Sequence, residues 1–248
     1  MNEIFSPFMS KRKLLHIGIC ALVFIGMAIP FKVMVLIEGF TEVRPVNAVP
    51  VVVGLLFGPA GAWGCAIGNL IADLFGTFSK ASVLGFVGNF IAALLPYKLW
   101  HLTSRGEKPN AKNHKNIIKY VFNATISALA TAILISCGLD ILFGMWMPQI
   151  FWMILINDIG FPILLGLPVF IVLTSEDNKV EITMPDNIQK QGDKRFFSIK
   201  HIMFIFLLIS EVSLLLMISL RVQMSSSPLM YITGGIFAIS LFGFVTID

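Results

Sequence analysis

Long apolar runs broken by short clusters of charge constrain this chain more than any other feature. Residues 14–37, 82–100, 117–143, 150–173, 199–220 and 229–247 are apolar runs with few or no charges. Each approaches or exceeds the roughly 20 residues a helix needs to cross a hydrocarbon core of about 30 Å. Charge concentrates instead at residues 11–13, 98–119 and 176–200. Only 13% of the 248 residues are charged and 56% are apolar, against about 25% and 45–50% in soluble domains. Too little charge remains to coat a water-soluble surface. That excludes a soluble enzyme, a nucleic-acid-binding module and a disordered chain. The fold class left is all-α, a polytopic membrane protein.

The basic triplet Lys11-Arg12-Lys13 ahead of the first run resembles the start of a signal peptide. The run is longer than a signal core and no small-x-small cleavage site follows it. Residues 14–37 are therefore read as a retained first span. Cys20, Cys65 and Cys137 are too few and too scattered for a disulfide framework and read as small packing residues.

Residues 46–76 carry Gly54, Gly58, Pro59, Gly61, Gly64 and Gly68. Proline removes a backbone donor and keeps its predecessor out of the α region, so Gly58-Pro59 predicts a break between helices at 46–57 and 60–76. Charge supports the split. The loop at 98–119 holds Lys98, Arg105, Lys108, Lys112, Lys115 and Lys119 against Glu107 alone, and positive loops stay on the cytoplasmic side. With the N-terminus also inside, an odd number of crossings must separate residue 45 from residue 101. The expectation is eight spans with both termini cytoplasmic. A six-span core over residues 1–174 is followed by a polar linker at 175–198, expected to be solvated, and a last helix pair at 199–248.

No phosphate-binding G-x-x-x-x-G-K-[ST] loop and no H-E-x-x-H zinc motif is present, and His16, His101, His114 and His201 lie near span ends. No cofactor or metal is expected. Ala60, Gly64, Gly68, Ala72 and Gly76 form a small-residue stripe that lets another helix approach closely. Beside it run Gly61, Cys65, Asn69 and Asp73. Polar groups at membrane depth are costly and face a bundle interior or a wet cavity. Arg44, Asn47, Asn69, Asp73, Asn89, Asp140, Asn157 and Asp158 all fall in the outer half on the expected topology, which suggests an outward-open polar pocket. Glu38, Glu42 and Lys32 stand near its mouth. Arg44 and Asp73 read equally as an ion pair or as ligand contacts, and Trp146 and Trp152 as an interfacial belt or a pocket wall. Asn157-Asp158 ahead of Gly160 and Pro162 marks a helix irregularity. Glu211, mid-span, reads as an interhelical hydrogen bond or a lone buried carboxyl rather than a proton relay.

The run Glu42-Val-Arg-Pro-Val-Asn-Ala-Val-Pro-Val-Val-Val-Gly-Leu-Leu-Phe-Gly-Pro-Ala-Gly, its continuation through Gly68-Asn69 to Asp73, and Gly85-Phe-Val-Gly-Asn-Phe form a mosaic. Over residues 10–174 this mosaic resembles the substrate-binding (S) components of energy-coupling factor (ECF) vitamin transporters. The resemblance implies a six-helix membrane protein that captures a micronutrient from outside, in the cell membrane. It implies substrate contacts from Glu42, Arg44, Asn47, Asn69, Asp73, Asn89, Asn157 and Asp158. It also implies partners: a membrane scaffold subunit and two ABC-type ATPases that hydrolyse ATP, with no nucleic acid involved. Two departures stand out. The first helix offers Gly18, Ala21, Gly26 and Ala28 but no small pair four apart, where family members carry an Ala-x-x-x-Ala docking patch. Two helices also follow residue 198. They leave room for a non-transporting scaffold or assembly protein of the same architecture. An intramembrane enzyme is disfavoured, because the carboxylates lack a nucleophile or metal set beside them.

Overall fold

The computed structural model describes residues 3–31, 35–37, 41–42, 44–75, 78–104, 106–176, 178, 180–185, 198–222 and 227–247, with the backbone alone at 35–37 and 41–42. A 3₁₀ segment, Glu3–Met9, leads into α1 (Lys11–Phe31). A small antiparallel hairpin follows, β1 (Val35–Ile37) with β2 (Thr41–Glu42), then a 3₁₀ turn, Pro45–Asn47. The remaining helices are α2 (Ala48–Phe57), α3 (Pro59–Asp73), α4 (Ser82–Thr103), α5 (His114–Phe143), α6 (Pro148–Phe161), α7 (Leu167–Leu173), α8 (Ile199–Ser219) and α9 (Pro228–Thr246). A π turn at Pro162–Gly166 joins α6 to α7. Among the described residues, six helical stretches are long and apolar enough to cross a membrane: α1, α4, α5, α6 through α7, α8 and α9. The protein is an all-α, multi-pass membrane protein.

The break in the glycine-rich stretch falls at Gly58, whose φ of 55° and ψ of −130° suit a residue without a Cβ. The ring of Tyr97 lies 2.9 Å from where a Cβ would stand. With only 10 and 15 residues, α2 and α3 are shorter than the other spans. Together they run from the hairpin end of the bundle to Tyr97, near its lysine-rich end, and back. One boundary differs from expectation. The first span was expected to reach residue 37, but α1 stops at Phe31, just after Pro30, and residues 35–37 pair as a strand. Proline withdraws a donor from the last helical turn, and β-branched Val35 and Ile37 favour extended backbone.

The small-residue stripe on α3 holds α1. A Cβ at Gly64 would stand 2.8 Å from the Ile17 carbonyl oxygen, and one at Gly68 would stand 2.8 Å from the Phe24 Cβ. Gly76 of the same stripe lies outside the described residues. Cys20, Cys65 and Cys137 are buried free thiols. One apolar cluster runs through the bundle and includes Phe24, Leu94, Leu95 and Phe151. A second, with Leu55, Leu56, Trp100, Tyr120 and Phe170, fills the lysine-rich end. Helices α8 and α9 pack chiefly on each other and touch the core mainly through α5. On α8 Glu211 is 0% exposed, and neither carboxylate oxygen has a hydrogen-bond partner among the described residues. Of the two readings above, the lone carboxyl is the one observed.

The lysine-rich end is tied together by polar contacts. The Glu3 carboxylate accepts from the Tyr97 hydroxyl at 2.5 Å and from Lys98 Nζ at 2.7 Å. Trp63 Nε1 donates to the Ile4 carbonyl at 2.9 Å, with Phe5 and Phe8 packed on its indole. The linker is less solvated than its composition suggests. The Thr183 N–H donates to the Leu56 carbonyl at 2.8 Å, Val180 and Ile182 pack on the second apolar cluster, and Glu181 pairs with Arg12. The Asn110 amide, in the loop before α5, and the Asn116 amide, in its first turn, donate to Glu107 at 2.8 and 3.0 Å. They hold its carboxyl below its usual value of 4.5. A depressed carboxylate contributes stability above the unfolded value, and that contribution is lost as pH falls through the folded one. Amide exchange over residues 106–113, corrected for the intrinsic rate, is therefore expected to quicken below pH 4.5 in the wild type. In Glu107→Gln it should change little with pH.

Candidate functional site

The polar residues of the outer half come from five elements, and the structure brings most of them into two adjoining groups. The first centres on Arg44, which opens the 3₁₀ turn ahead of α2. Its backbone N–H donates to Asn157 Oδ1 on α6 at 3.2 Å, and its guanidinium donates to Asn69 Oδ1 on α3 at 3.3 Å. Asn69 in turn donates through Nδ2 to Asp73 Oδ2 at 3.3 Å. An amide can accept on one side and donate on the other, so Asn69 bridges Arg44 and Asp73. Asn69 is 1% exposed and Asp73 9%, and Gly85 on α4 makes room for the Asn69 amide, 2.9 Å from where a Cβ would stand. Arg44 and Asp73 are thus linked through an intermediate side chain, the Asn69 amide. Through these contacts the segment ahead of α2 is tied to α3 and α6.

The second group lines a small cleft. Its polar members are Asn47, Asn89, Ser127 and Asp158; its apolar members are Pro50, Val51, Ala92, Ala124 and Ala128. Asn47 Nδ2 donates to Asp158 Oδ1, which leaves the second carboxylate oxygen for another donor. Asn89 donates to its own helix at the Gly85 carbonyl, 2.9 Å away, and keeps its amide oxygen as an acceptor. Ser127 donates to the Ala92 carbonyl across the α4–α5 contact at 3.1 Å. The π turn two residues beyond Gly160 is the irregularity anticipated after Asn157-Asp158.

Several expected residues stand elsewhere. The side chain of Glu42 lies outside the described residues, as do Lys32 and Glu38. Asp140 is buried at the C-terminal end of α5, beside the left-handed Gly144, and is not among the cleft residues. Trp146 packs on the apolar core, and Trp152 is 39% exposed and edge-on to Phe151; neither lines the cleft. Ser127 and its alanine neighbours were not singled out from the sequence. Their signal was present, because Ala124, Ala128 and Ala132 repeat the four-residue small spacing read on α3.

Chemically the cleft offers one carboxylate, two amides and a hydroxyl over an alanine-rich surface, a set that suits a small polar solute presenting N–H donors. A family model described as QueT transporter matches residues 14–175. No curated protein and no solved structure matches the chain.

Proposed function

The chain belongs to the QueT transporter family, and on that premise we propose that it is the solute-capturing S component of an ECF-type importer for a queuosine precursor. It would sit in the cell membrane with both termini and the lysine-rich end in the cytoplasm, as the distribution of Lys and Arg suggests. It performs no chemistry on the solute. The scaffold subunit and two ATPases that such an importer needs would supply the energy. The observation that carries this reading is the convergence of Asn47, Asn89 and Asp158 on one cleft.

A queuosine precursor is a 7-deazaguanine-type base, flat and rich in donors. Its ring N–H and exocyclic amine form an adjacent donor pair that one carboxylate can accept. Asp158 is the cleft's carboxylate and takes that role, with the Asn47 amide holding it in place. Asn89 and Ser127 would meet the remaining edge. Ala92, Ala124 and Ala128 would form the small-residue surface under the ring face once the cleft opens to admit it. Arg44, Asn69, Asp73 and Asn157 would fix the wall that carries Asn47. Glu42, in the hairpin ahead of that wall, would contribute from the mouth.

The test is mass spectrometry of small molecules released from protein purified gently in lipid nanodiscs, followed by equilibrium binding of 7-deazaguanine. A stoichiometric deazapurine that 7-deazaguanine displaces is the expected result. The helix pair α8–α9 lies beyond the matched residues, and it motivates a second reading, a non-transporting assembly protein of the same architecture. Protein that purifies empty, binds no deazapurine and retains other membrane subunits would replace the first reading with that one.

A further inference from the structure

We propose that α2 moves as one unit and couples the candidate site at its start to a latch at its end. The helix has 10 residues and so spans about 15 Å. It is bounded by two discontinuities: the 3₁₀ turn Pro45–Asn47 on one side, and Gly58, with φ of 55°, on the other. Both ends are pinned by polar contacts. At the start, the Arg44 N–H is held by Asn157, and the Asn47 amide by Asp158. At the end, the Leu56 carbonyl accepts from the Thr183 N–H, and Gly58 sits under the Tyr97 ring. Tyr97 and its neighbour Lys98 are both bound to the Glu3 carboxylate.

Between its ends α2 meets backbone at three places. A Cβ at Gly54 would stand 2.7 Å from the Ala93 carbonyl carbon on α4. A Cβ at Gly61 on α3 would stand 2.7 Å from the Val53 carbonyl carbon, and one at Gly166 in the π turn would stand 3.1 Å from the Ala48 carbonyl oxygen. Packed helices are held in register by side-chain ridges seated in grooves. At Gly54 and Gly61 only backbone atoms stand opposite, so a small axial shift breaks little interlocking there, whereas at Gly166 the Tyr120 hydroxyl and Val52 Cγ2 also close on the contact. Sliding of a packed helix is one of the recognised elements of switching transitions. A short rod pinned at both ends and backbone-to-backbone at these two glycines transmits a displacement from one end to the other. The Glu3 segment and the Thr183 segment are therefore the latch on α2 at the lysine-rich end, and Arg44 and Asn47 are its contacts at the site.

Coupling between two ends is reciprocal, and hydrogen exchange on the full chain in nanodiscs, with no solute added, tests it. Glu3→Gln removes the charge that faces Lys98. It is expected to speed exchange about tenfold at residues 46–50, at the far end of α2, as well as at 55–58. Asn47→Ala, which removes the amide held by Asp158, is expected to speed exchange at 55–58 as well as at 46–50. Protection across α5 should stay at the wild-type level in both. If Glu3→Gln lost it, Thr183→Pro, which removes the donor to Leu56, would carry the same measurement. Acceleration confined to the mutated end, in either direction, or no acceleration at all, would overturn the proposal. Because no solute enters the measurement, its failure leaves the transport reading standing, and failure of that reading leaves the coupling standing.

Discussion

Asp158→Ala is expected to weaken retention of 7-deazaguanine about a hundredfold, close to 3 kcal/mol, while the bundle stays folded. Two losses add. The solute's paired donors lose the carboxylate, and the Asn47 amide, which donates to Asp158, is left without its acceptor. A hydrogen bond to a charged group contributes about 1.5–3 kcal/mol, and a buried donor stranded by truncation costs a further 1–3 kcal/mol. Asp158→Asn separates the two effects, because its amide oxygen still accepts from Asn47 while the charge is gone. That variant is expected to lose about tenfold in affinity. Equilibrium binding in nanodiscs reads both values. Affinity unchanged in Asp158→Ala would remove this carboxylate from the site.

Gly54→Val is expected to prevent assembly of the folded protein, a cost of more than about 4 kcal/mol. The first added carbon would stand 2.7 Å from the carbonyl carbon of Ala93 and 2.9 Å from its Cα. Those are backbone atoms of a helix packed on both sides, so they cannot turn away as a flexible side chain can. Overpacking of this kind forces backbone shifts, and valine adds two further methyl groups at the same contact. The measurement is the yield of monodisperse protein after extraction, with a thermal melt of what survives. Gly18→Val on α1 is the matched comparison, since a Cβ there meets nothing within 4 Å; its yield and melting temperature are expected to match the wild type.

The contrast between those glycines marks how far the sequence can be read. Spacing identified the α3 stripe as a close-packing face, and Gly58-Pro59 identified the break, because both depend on local backbone chemistry. The partner of each face depends on how the helices fold together. Nothing local distinguishes Gly54, pressed against α4, from Gly18, which faces open space. The same divide runs through the site. Arg44, Asn47, Asn69 and Asp158 were legible as costly polar groups at a shared depth. That Asn69 stands between Arg44 and Asp73, and that Asn89 spends its amide donor on its own helix, depends on angles around each helix axis that depth alone does not supply. Ser127 escaped notice because one hydroxyl in an apolar span signals little until the Ala92 carbonyl is seen opposite it. The 3₁₀ segment ahead of α1 was passed over for a related reason. Its apolar residues follow no helical or strand period, and its anchors, Trp63, Tyr97 and Lys98, lie more than 50 residues away in the sequence.

The π turn at Pro162–Gly166 has a consequence for how this helix tolerates change. One extra residue in a helical turn offsets everything beyond it by about 100° of rotation. The half that holds Asn157 and Asp158 and the half whose Phe170 meets Tyr120 at 5.1 Å are therefore out of phase, like two gears on one shaft set at different angles. The Tyr120 hydroxyl donates to the Pro162 carbonyl at 3.0 Å, at the point of offset. Because of that offset, the polar lettering of the first half and the apolar lettering of the second obey separate rotational frames. Substitutions can accumulate in one half without turning the other away from its partners.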